Sequence, residues 1–110
     1  MKFYFLSTCC ASPEQYDVYQ ESGNLCGYIR LRWGELLAEY PCVNGEMIYH
    51  TVFEDNFKGC FDNDEERNKY LQIIANKFAE RIMENFVSYS SNIKVSYEII
   101  TDLNKLKEVS

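Results

Sequence analysis

One histidine, five cysteines and seventeen carboxylates are the residues of this 110-residue chain with the types for acid–base, nucleophilic or metal chemistry. His50 alternates with Tyr49 and Thr51 in a β-prone run, so its side chain is expected on one sheet face. A cysteine–histidine nucleophile needs a thiol held beside the imidazole, and nothing in the spacing singles out one of Cys9, Cys10, Cys26, Cys42 and Cys60. The same cysteines with His50 could supply zinc ligands, but none falls at the short spacings of a zinc knuckle. No carboxylates form a metal-binding or glycosidase-like pair, and Glu65-Glu66 read better as helix-start residues. The expectation is a protein with no catalytic residues, no metal and no cofactor.

Two other groups fit recognition. Tyr28, Arg30 and Arg32 alternate with Ile29, Leu31 and Trp33, which puts two guanidiniums and a phenol on one strand face. That patch suits an anion or a protein partner, although cross-strand pairing with Asp17, Glu35 or Glu39 would also explain it. Glu54, Asp55, Asp62, Asp64, Glu65 and Glu66, offset by Lys58, net −5 over thirteen residues. Such a row is either a solvated loop with a helix start, or a phosphate-like surface for a partner's basic channel.

Composition bounds the rest. The net charge is −6, and residues 14–66 hold twelve acids against three bases. That balance disfavours direct binding to nucleic acid or to an anionic membrane. An odd cysteine count without a CxxC pair reads as free thiols in a reducing cytoplasm. Met1–Leu6 is too short for a signal-peptide core, and no apolar run reaches the roughly 20 residues of a membrane span. Aromatics reach 15%, including nine tyrosines, which serve either a small core or a contact surface.

These residues need a scaffold. Strands are expected over 2–7, 16–20, 25–33, 36–40 and 46–53, with turns at 21–24, at Gly34-Glu35 and at Asn44-Gly45. Residues 16–53 then form a four-stranded meander. A helix is expected from about Asp64 to Val87. Its cap is Asp62 with Glu65 or Asn63 with Glu66, and its apolar stripe is Leu71, Ile74, Ala75, Phe78, Ala79, Ile82 and Phe86. A last strand over 93–100 pairs with the first or extends the meander. The fold class is a single α+β domain over 1–110, an antiparallel sheet of five to six strands with one long amphipathic helix on one face.

The run Gly27-Tyr28-Ile29-Arg30-Leu31-Arg32-Trp33-Gly34, followed by Glu39-Tyr40-Pro41 and by Glu65-Glu66-Arg67-Asn68-Lys69-Tyr70-Leu71, resembles small proteins of phages and other mobile elements. Some of these are anti-CRISPR-type inhibitors of host defence. The resemblance implies an intracellular, non-catalytic inhibitor that binds a host protein. The acidic row points to a partner that handles nucleic acid, and the expected state in the cytoplasm is a monomer or, through an exposed edge strand, a homodimer. The other expectations are a small enzyme or ligand binder with a site between sheet and helix, using Arg30, Arg32 and His50, and a self-associating structural domain.

Overall fold

A computed structural model of the protein describes residues 1–8, 13–84 and 94–109. The elements are β1 (Lys2–Ser7), β2 (Glu14–Gln20), β3 (Leu25–Arg32), β4 (Glu35–Tyr40), β5 (Glu46–Val52), α1 (Asp64–Met83), β6 (Ser96–Ile100) and α2 (Asn104–Val109). They form an α+β fold with one six-stranded sheet, ordered β5-β4-β3-β2-β1-β6. No helix among the described residues is long and apolar enough to cross a membrane.

The first and last strands do pair, but in parallel, with Phe3 beside Tyr97 and Phe5 beside Ile99. The sheet is therefore mixed rather than wholly antiparallel. Five alternating strands leave β5 running the same way as β1. The twenty residues of α1 span about 30 Å and carry the chain back across the sheet, so β6 must run parallel to β1.

The helix starts where Asn63 caps it: its side chain accepts a 2.8 Å bond from the Glu66 N–H, and Glu66 accepts from the Asp62 N–H at 2.9 Å. Its expected stripe is its buried face. Leu71, Ile74, Ala75, Phe78 and Ala79 are buried and Ile82 packs beside them, while Phe86 and Val87 lie outside the described residues. The stripe meets Phe3, Phe5, Tyr16, Val18, Ile29, Leu31, Leu36 and Ala38 on the sheet. Full burial of each such large side chain contributes about 1.5–3 kcal/mol. On the other face, short α2 brings Leu106 over Tyr4 and Ile100. None of the eight described tyrosines is exposed, so most of the aromatic content serves packing.

Two turns differ from expectation. Asn44-Gly45 sits in a five-residue loop, since Tyr40 pairs with Glu46 and Tyr40-Pro41 is cis; of the two, only Asn44 has positive φ. The tight two-residue hairpin is Trp33-Gly34, with φ of 53° and 74°, joining paired Arg32 and Glu35. Positive φ at both central residues is the type I′ requirement, which matches strand twist. Trp33 therefore leaves the strand alternation and does not join Ile29 and Leu31 in the core.

Helix and sheet are in tight contact at Gly27. A Cβ there would overlap the Phe78 ring and lie 2.9 Å from the Glu39 carbonyl oxygen. Phe78 is fully buried and cannot step aside. Gly27→Ala should therefore destabilise the domain by about 1–3 kcal/mol through overpacking. Urea unfolding of both proteins checks this; an unchanged midpoint would show that the contact relaxes.

Candidate functional site

The β3–β4 hairpin tip and the 53–63 loop are sewn together by main-chain bonds. Gly34 N–H donates to the Lys58 carbonyl at 2.9 Å, Phe53 N–H to that of Gly34 at 2.7 Å, and Glu14 N–H to that of Gly59 at 2.6 Å. Within the loop, Asp55 accepts from the Phe57 N–H at 2.9 Å and from the Lys58 N–H through its carbonyl at 3.1 Å. Gly34 is required for its φ and for space: a Cβ would lie 2.6 Å from the Asp55 carbonyl oxygen.

This frame presents two aromatic rings to solvent. Trp33 is 63% exposed and Phe57 81% exposed, and the rings meet edge-on at 6.3 Å. With Pro13, Arg32 and Gly59 they line a groove of about 340 Å³. Neither ring was expected here. Trp33 hid in an alternating strand pattern, and the available sign was a glycine at the second position of a two-residue turn. Phe57 is a large apolar side chain inside an Asp-, Asn- and Lys-rich loop.

Below the groove lies a charged cluster. Glu14, 7% exposed, receives the Arg67 guanidinium at 2.8 and 3.2 Å, the Tyr16 hydroxyl at 2.5 Å and the Phe61 N–H at 3.2 Å. Burial by itself would raise the Glu14 pKa; the three donors outweigh it and hold the carboxyl below the usual glutamate range. Burial, then the same carboxylate, pushes the Tyr16 hydroxyl well up.

The acidic residues divide. Lys58, itself buried, bonds Asp62 at 2.8 Å and Glu66 at 3.0 Å, and Arg67 pairs with Asp64 at 2.5 Å. Glu54 and Asp55 stay exposed in the aromatic loop. Glu65 faces elsewhere, with Asn68, Lys69, Gln72, Tyr97 and Ile99 around a groove of about 650 Å³. The six acids thus do not form one free row.

Tyr28, Arg30 and Arg32 share the sheet face opposite α1. His50 lies on that face too, since it pairs with Leu37, which in turn pairs with Arg30. The expected site between sheet and helix is therefore not built from Arg30, Arg32 and His50. His50 instead approaches Glu35 at 3.5 Å. Among the described cysteines, Cys26 is buried, which lifts its thiol to about 12, while Cys42 and Cys60 are exposed; all three are free. Cys9 and Cys10 lie outside the described residues. Among the described residues no group of three or more His, Cys, Asp or Glu side chains is gathered to hold a metal ion.

The class defined here is an α+β domain whose mixed sheet carries a rigid, aromatic hairpin tip. No protein-family model, curated protein or solved structure matches the chain.

Glu14→Gln should cost about 1–3 kcal/mol, because a neutral amide replaces the buried carboxylate that accepts from Arg67, Tyr16 and the Phe61 N–H, leaving Arg67 only Asp64. The sign with pH follows from the lowered Glu14 pKa. Its contribution is present above the ordinary glutamate range of about 4.3 and is lost as pH falls through the lower folded value. Urea midpoints should therefore separate the two proteins at neutral pH and converge in acid; a gap that persists in acid would contradict the assignment.

Proposed function

We propose that this domain is a non-catalytic protein-binding module that docks through its hairpin tip. The single observation that carries this reading is the exposed Trp33–Phe57 pair on a backbone pinned from three sides. Trp33 occupies the left-handed region at φ 53°, where a bulky L residue is disfavoured by roughly 1–2 kcal/mol. Stability alone favours Asn before Gly in such a turn. A tryptophan kept there, and left mostly in water, points to contact with something outside the chain.

The partner is a protein with an apolar pocket edged by basic side chains. Glu54 and Asp55 are exposed in the loop that carries Phe57, so a basic rim is complementary. Proteins that handle nucleic acid carry such surfaces. Together with the resemblance to mobile-element proteins, this supports an inhibitor of a host nucleic-acid-handling protein, acting in the cytoplasm. Aromatic anchors supply the affinity, and the carboxylates supply speed and salt sensitivity.

Trp33→Asn separates folding from binding. It should leave the unfolding free energy from urea titration within about 1 kcal/mol of the parent's, because turn relief offsets the lost edge contact with Phe57. Capture of a host partner on immobilised protein should fall by about 30-fold or more in Trp33→Asn and in Phe57→Ala, as for aromatic hot spots. Capture by the parent should also weaken as salt rises. A partner retained equally by parent and both variants would refute the docking site.

A further inference from the structure

The outer sheet face holds two arginines whose acceptor neighbours face other partners. Arg30 and Arg32 project from the same face of β3, about 7 Å apart along the strand. Among the described residues neither forms an ion pair, whereas the other two arginines, Arg67 and Arg81, both do. The acceptors beside them face other partners. Gln15, opposite Arg30, accepts the Tyr28 hydroxyl at 2.7 Å. Glu35, opposite Arg32, turns to His50. Glu39, opposite Tyr28, accepts from the Asn44 N–H at 3.1 Å. Asp17 is on the same face, and burial lifts its carboxyl pKa rather than an adjacent cation lowering it.

One consequence is already visible at the atomic level. The Arg30 Nε is buried and has no hydrogen-bond partner among the described residues. Buried donors are paired in the great majority of cases, and a charged one left alone is costly. Arg32 beside it is exposed and free to turn toward a shared ligand. Buried Leu37 next to Arg30 gives a dry floor that strengthens any charge-assisted bond formed there.

We infer that Arg30 and Arg32 form an oxyanion-binding site on the outer face of the sheet, for a small phosphate monoester or dicarboxylate. Guanidiniums present a planar fork that takes two oxygens of one anion, which a lysine does not. The site does not depend on the aromatic docking surface, although Arg32 borders both.

The test is NMR of the arginine Nε–Hε resonances in the intact protein, titrated separately with inorganic phosphate and with succinate. Saturable movement of the Arg30 resonance with either ligand supports the site, and the ligand that moves it identifies the source. Arg30→Gln should weaken binding by about tenfold or more, and Arg30→Lys should not restore it, because the fork is lost. Trp33→Asn should bind the anion as the parent does. An Arg30 resonance that moves with neither ligand overturns the inference, and so does unaltered affinity in Arg30→Gln. The first readout needs no variant, so a folding defect in Arg30→Gln leaves the inference falsifiable.

Discussion

The Glu14 carboxylate sits beneath the first turn of α1 with a guanidinium, a phenol and a backbone N–H around it. Three segments meet there: the start of β2, the end of the 53–63 loop and the helix. Such a pair adds little net energy, because removing both charges from water offsets most of their attraction. Its effect is positional. Without Arg67 the buried Glu14 would be a poorly compensated charge, so the strand, the loop and the helix are held in one arrangement.

Everything presented at the hairpin tip hangs on that arrangement. The carboxylate holds Phe61, the Glu14 N–H holds Gly59, and the loop between Phe53 and Gly59 closes on Gly34. The Phe57 and Trp33 rings are then offered by a backbone with little freedom left to lose. A surface ordered beforehand loses less entropy on binding, which is how two rings can matter in a small contact. The outer face shows the opposite situation. There the donors and acceptors do not match, and among the described residues two guanidiniums have no carboxylate partner.

Much of the scaffold was legible because it rests on short-range rules. The helix stripe from Leu71 to Ala79 follows the 3.6-residue period, and Asn63 with Glu66 has the spacing of a cap. Tyr28, Arg30 and Arg32 fell on the face that strict alternation requires. The misses share a cause. Trp33 has strand-like neighbours, and only the pairing of Arg32 with Glu35 turns it into a turn residue. Glu14 looks like one surface acid among many until Arg67, fifty-three residues away, is placed against it. The acidic run looked continuous because charge along a chain does not reveal which carboxylates meet Lys58 or Arg67.

By itself, then, the sequence determined the element types, the buried helix face, the wet strand face and the acidic balance, since each depends on residues within a turn or two of one another. Tertiary structure decided the parallel pairing of β6 with β1, the exposure of Trp33 and Phe57, and which charges were neutralised. Those outcomes depend on contacts between distant segments. Register, turn geometry and the meeting of distant segments at Glu14 set them.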